Sequence, residues 1–142
     1  MTLSKSGQPA VFVLIDGNAI LHRAYHALPP LTSRSGKLLN AVYGFSNMLL
    51  RVISDLKPQY LAVAFDTPVP TFRQKEYLGY QAKRPEMEEG LKGQIEEVHE
   101  VVYALGISVF QKEGFEADDV IGTLARQAFL AKGHKEKIKV VI

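Results

Sequence analysis

Apolar residues fall along this chain in two rhythms, short unbroken runs and longer stretches spaced by three or four. Ala10-Val-Phe-Val-Leu-Ile15 is an unbroken run stopped by Asp16-Gly17-Asn18, and Tyr60-Leu-Ala-Val-Ala-Phe65 is another that runs into Asp66. Runs of this length and kind predict strands covered on both faces. Ile107–Phe110 reads as a weaker third strand, and Lys139–Ile142 begins a fourth. Between them, Val42, Phe45, Leu49, Val52, Ile53 and Leu56 repeat at helical spacing over residues 37–57, closed by Pro58. A shorter helix over 18–27 ends before Pro29-Pro30. Met87, Leu91, Ile95, Val98, Val101, Val102 and Leu105 predict one amphipathic helix capped by Gly106, with Tyr43, Phe45 and Tyr103 in helix packing. Val120, Ile121, Leu124, Ala125 and Ala128 mark a last helix ending near Gly133.

Strands alternating with crossover-length helices imply an α/β fold, a mainly parallel central sheet with helices on both faces, Rossmann-like in outline. Residues 1–9 read as a flexible N-terminus and residues 10–142 as one domain, incomplete at its C-terminal end because the chain stops within or just after a strand. Residues 68–85, with three prolines, read as an exposed and partly helical excursion.

Composition narrows the chemistry. The 142 residues include no Cys, which excludes disulfides, thiolate zinc sites and a Cys nucleophile, and agrees with a cytoplasmic location. The longest apolar runs hold about six residues where a membrane span needs about twenty. The net charge of +2 identifies no partner. Its distribution says more: no acid lies between Asp16 and Asp55, and basic stretches recur at 73–84 and 126–139. Each is by default a solvated face.

In parallel α/β sheets the site lies beyond the carboxyl ends of the strands. Asp16 and Asp66 follow the first two strands, while Glu116, Asp118 and Asp119 open the helix after the third. Five carboxylates on one edge need cations, and oxygen-only ligands suit Mg2+ or Mn2+. Two such ions about 3.5–4 Å apart would activate a water and stabilise the leaving oxygen of a phosphodiester. Taken singly, Asp16-Gly17 also reads as a strand-end turn, Asp66-Thr67-Pro68 as an Asx turn, and the acids at 116–119 as complements to a helix N-terminus. Phosphate-loop, dinucleotide and serine-elbow patterns are absent. His22, His26, His99 and His134 show no ligand spacing and read as surface or satisfied histidines. Arg23, Lys83 and Arg84 are placed to guide a phosphate backbone toward the acidic edge.

Leu14-Ile-Asp-Gly-Asn18, Ala41-Val-Tyr-Gly-Phe45, Val63-Ala-Phe-Asp66, Phe72-Arg73, Tyr80-Gln-Ala-Lys-Arg-Pro85 and Gly114-Phe-Glu-Ala-Asp-Asp-Val-Ile-Gly122 stand in the order seen in bacterial flap endonucleases. The chain resembles that family from about residue 10 onward, most closely the amino-terminal 5′-nuclease domains attached to DNA polymerases of the first type. The resemblance implies a PIN-like fold with a helical arch and two-metal hydrolysis of DNA carrying 5′ flaps or nicks, including displaced RNA primers. It also implies a monomer that a polymerase domain follows in some members. By position it assigns Asp16, Asp66, Glu116, Asp118 and Asp119 to the metal site, and Arg23, Arg73, Lys83 and Arg84 to nucleic acid. The family's usual lysine after the arch tyrosine is replaced here by Gln81, with Lys83 two places on. A further acidic cluster and a helix–hairpin–helix of the family are not in these residues, so the isolated chain is expected to be weakly active or inactive. The other readings are a nucleic-acid-binding module without chemistry and a PIN-like ribonuclease.

Overall fold

The structure, a computed structural model, describes residues 8–83, 85–131 and 138–142. Arg84, residues 132–137 and most of the N-terminal segment 1–9 lie outside the described residues. Four strands form one sheet, β1 (Ala10–Asp16), β2 (Tyr60–Ala64), β3 (Ser108–Phe110) and β4 (Ile138–Val141). All pairings are parallel, and the spatial order is β3-β2-β1-β4. The two apolar runs are therefore the central strands, flanked on both sides, which is why they carry so few polar residues.

Alternation along the strands divides the core in two. Val13, Ile15 and Val63 face one layer, packed by α1 (Gly17–Ala27), α2 (Asn40–Leu56) and α5 (Ile95–Ala104) through Leu21, Phe45, Leu49, Val98 and Val102. Leu14, Ala62 and Ala64 face the other, where α6 (Ala117–Leu130) lays down Ala117 and Ile121. The excursion after β2 contains one short helix, α3 (Phe72–Glu76), whose Thr71 side chain accepts a hydrogen bond from the Gln74 amide.

Two expectations need correction. The single helix expected across residues 87–105 is broken into α4 (Glu89–Lys92) and α5, with Gly93 and Gln94 between them. Gly90 and Gly93 weaken helix there, and Gln94, 1% exposed, uses its side chain elsewhere. Its Oε1 accepts from the amides of Ala41 and Val42 at 2.8 and 3.1 Å, and its Nε2 donates to Asn40 Oδ1 and to the Gly90 carbonyl. A buried amide with every partner met outweighs two weak helical positions. Of the aromatics expected in helix packing, Phe45 is buried, but Tyr43 and Tyr103 are exposed, as is Leu105. Gly106 does stop α5, with φ +69° and its N–H on the Tyr103 carbonyl. Among the described residues no helix is long and apolar enough to cross a membrane.

Candidate metal and phosphodiester site

The carboxyl ends of β1 and β2 lie side by side, with Asp16 in register with Ala64. Asp16 leaves β1 and caps α1, its Oδ1 accepting from the Ala19 amide at 3.0 Å. Asn18, two residues on, accepts the Asp66 N–H at 2.8 Å. Asp66 in turn accepts the Ala117 N–H at 2.7 Å, which fixes the start of α6. Three segments distant in sequence are thus joined by short side-chain to backbone bonds, and α6 brings Glu116, Asp118 and Asp119 to the same edge.

Asp16, Asp66, Glu116 and Asp118 line one cavity of about 690 Å³, whose α1 wall carries His22 and His26. Burial pushes the Asp16 carboxyl above its ordinary range, opposed by the Ala19 N–H and reinforced by the negative charges of Asp118 and Asp66. Asp119 has a different neighbourhood. Arg73 grips it through both terminal nitrogens at 2.7 Å and also reaches Glu116 Oε2 at 2.8 Å. The guanidinium holds the Asp119 carboxyl below its usual range, against an opposing effect of burial. Tyr80 and Gln81 add hydrogen bonds to Glu116.

Among the described residues the ion pairs of this edge end on Glu116 and Asp119, and none joins Asp16, Asp66 or Asp118 to a cation. No three of the described side chains stand close enough to enclose a metal ion between them. An ion of the magnesium kind does not require that, since it binds through one or two carboxylates and keeps several waters. The like charges of Asp118 and Asp66 beside Asp16, in a cavity that several carboxylates line, fit such an ion.

One consequence is measurable without substrate. Asp16→Asn keeps the cap on Ala19 and removes a charge that the fold disfavours. A carboxyl whose acidity is weakened by folding costs stability as pH rises above its ordinary value of 3.8. The metal-free variant is therefore expected to melt a few degrees above the parent at pH 7, with the gap narrowing toward pH 4. A variant that melts lower at pH 7 would show that the charge is stabilised in the fold.

The expected nucleic-acid residues divide. Arg23 and Lys83 are exposed and do not line the cavity, whereas Arg73 is committed to carboxylates. Arg84 lies outside the described residues. Sequence reasoning missed Asn18, Tyr80 and Gln81 as partners of the acids. It also set aside His22 and His26, although Asp16, Ala19, His22 and His26 follow one another at helical spacing and share the cavity wall.

Residues 11–142 match the family described as the 5′-3′ exonuclease, N-terminal resolvase-like domain. The chain is 48% identical over 122 residues to the DNA polymerase I of Pseudomonas aeruginosa, covering 86% of this chain and 13% of that protein. It is 43% identical over 125 residues to a 5′-3′ exonuclease of Aquifex aeolicus, covering 88% of this chain and 43% of the relative. Among solved structures it resembles a bacteriophage T5 protein co-crystallised with metal ions, with a TM-score of 0.60 at 15% identity, over 82% of this chain and 44% of that one. A complex of the bacteriophage T5 flap endonuclease with DNA and metal ions gives 0.57 at 15% identity, over 92% and 47%. These likenesses establish the fold, and the chain spans less than half the length of each of these relatives. The match over nearly all of its length shows that the chain belongs to the 5′-3′ exonuclease N-terminal domain family.

Proposed function

We propose that the chain carries the catalytic edge of a structure-specific 5′-nuclease that hydrolyses phosphodiesters of DNA with 5′ flaps or nicks, and of RNA primers, with Mg2+ or Mn2+. The observation that carries this reading is the convergence of Asp16, Asp66, Glu116 and Asp118, from β1, the end of β2 and the start of α6, on one cavity. The family's relatives include a 5′-3′ exonuclease, and the solved complex of the bacteriophage T5 flap endonuclease contains both DNA and metal ions.

Asp16 and Asp118 offer the ion a pair of carboxylates, with Asp66 and Glu116 within the same cavity as direct or water-mediated ligands. When bound, divalent ions supply a lowered water pKa and a Lewis acid for the phosphoryl oxygens. Asn18 holds Asp66 against the start of α6, so that the two ligand-bearing segments keep their spacing. Arg73 fixes Asp119 and Glu116, which sets the first turn of α6. Arg23 and Lys83, both exposed, supply positive charge to the phosphate backbone. A reducing cytoplasm suits a chain without Cys.

An end-labelled 5′-flap duplex tests the reading when cleavage and binding are followed together in Mg2+ and in Mn2+, with Mn2+ affinity measured by calorimetry. Weak cleavage that needs the ion and disappears in Asp66→Ala, or binding of the flap without cleavage by a chain that still binds Mn2+, is the expected result. A flap that is bound but never cut, by a chain with no measurable affinity for either ion, would identify a nucleic-acid-binding module instead.

A further inference from the structure

Glu116 belongs to two structures at once. It lines the carboxylate cavity, and it is also the point at which the excursion after β2 is fastened to the body of the fold. Its Oε1 accepts from Tyr80 Oη at 3.1 Å and Gln81 Nε2 at 3.0 Å, and its Oε2 accepts from Arg73 at 2.8 Å and Tyr80 Oη at 3.1 Å. A carboxylate offers about four acceptor positions, and three donors from the excursion occupy most of them, the single Tyr80 hydroxyl proton being shared between the two oxygens.

The donors are not equally committed. Arg73 has a second, bidentate anchor on Asp119 and keeps its place without Glu116. Tyr80 and Gln81 have no such reserve. Among the described residues, every hydrogen bond from segment 77–83 to the remainder of the fold ends on Glu116, and the others close local turns. Tyr77 and Leu78 are exposed and add little packing. Gln81 is moreover held at φ +56°, a conformation unfavourable for a residue with a side chain.

We propose that Tyr80 and Gln81 are positioning residues that couple segment 77–83 to metal occupancy, fastening it across the acidic edge while Glu116 is metal-free and releasing it when an ion takes Glu116 as a ligand. The inference rests on the metal-dependent reading above and adds a consequence for this chain's own residues. Coordination and the Tyr80 and Gln81 bonds compete for the same oxygens, so the edge opens to a strand of nucleic acid as the site is charged with metal.

Limited proteolysis of the 142-residue chain reads the coupling directly, because cleavage of a locally opening segment follows the population of its open form. Trypsin cleavage after Lys83 is measured with and without saturating Mn2+, corrected for the protease's own response on an unstructured peptide, while calorimetry reports Mn2+ binding. Loss of a hydrogen bond to a charged group changes such a population on the order of tenfold. The wild-type chain is expected to be cut about that much faster with Mn2+ bound. Tyr80→Phe and Gln81→Met are expected to be cut at the faster rate without the ion and to respond little to it, with unchanged melting temperatures. Mn2+ that binds without accelerating cleavage of the wild type, or variants cut as slowly as the wild type without the ion, would overturn the coupling alone. Absence of Mn2+ binding would overturn both the coupling and the metal-dependent reading.

Discussion

Asp118→Ala is expected to lower metal-dependent flap cleavage on the order of a thousandfold, since several kcal/mol of transition-state charge stabilisation depend on the ion it helps to hold. Among the acids of this edge, Asp118 separates chemistry from folding most cleanly. It is exposed, forms no ion pair among the described residues, and contributes like charge to the half-buried Asp16. Removing it relieves repulsion, so the thermal midpoint should hold or rise while activity collapses. Asp119 would not give so clear an answer, because its loss leaves Arg73 with one partner and removes the acceptor for the Glu116 N–H. The measurement is kcat on a 5′-flap duplex, with the substitution placed in a full-length nuclease that carries this chain, beside a thermal melt. An Asp118→Ala protein within a few-fold of the parent's turnover would remove this residue from the machinery.

Gly17→Ala is expected to destabilise the fold by about 1–3 kcal/mol, although helix propensity by itself favours alanine by ~1 kcal/mol. A Cβ at position 17 would stand 2.3 Å from Phe65 Cε1 and 2.6 Å from Cδ1. The ring has little freedom to withdraw. It is 1% exposed, with Phe45 at 6.5 Å and His99 at 4.0 Å between ring centroids. Packing of that density transmits strain rather than absorbing it. Position 17 sits between Asp16 and Asn18, so the displacement reaches both the α1 cap and the bond that holds Asp66. Urea unfolding checks the stability, and Mn2+ affinity checks the site. An alanine variant as stable as the parent would mean that Phe65 moves aside freely. The Asp-Gly-Asn sequence thus has a steric reason for its middle residue beyond turn chemistry.

The strands and most helices were legible because their cause is local. Apolar runs of strand length, and stripes at helical spacing, report burial without knowledge of the neighbours. The placement of Asp16, Asp66 and the acids at 116–119 on one edge was legible for a related reason, since a parallel sheet gathers the carboxyl ends of its strands. What the sequence hid depends on pairing across distance. The break before Gln94 follows from amides some fifty residues earlier, and periodicity has no access to them. Arg73 looked like one more cation in a basic stretch, but the register of α3 against α6 turns it onto two acids. Tyr80 and Gln81 carried no pattern pointing to Glu116, because loops do not advertise their partners through spacing.

Gln94 has a consequence for how this fold holds together over time. α2 begins at Asn40 without a capping side chain on Leu39, so its first turn is completed by an acceptor from the α4–α5 junction. Asn40 Oδ1 accepts from the Ala41 amide within the helix, and the docked Gln94 adds a second acceptor there and the one on Val42. The first turn of α2 and the junction before α5 are therefore expected to open and close together. Asn40 extends the unit by donating to the carbonyls of Tyr25 and Leu28, which ties in the last turn of α1. The helical layer that backs the acidic edge is thereby latched as a whole, and partial loosening of one helix is felt by the other two.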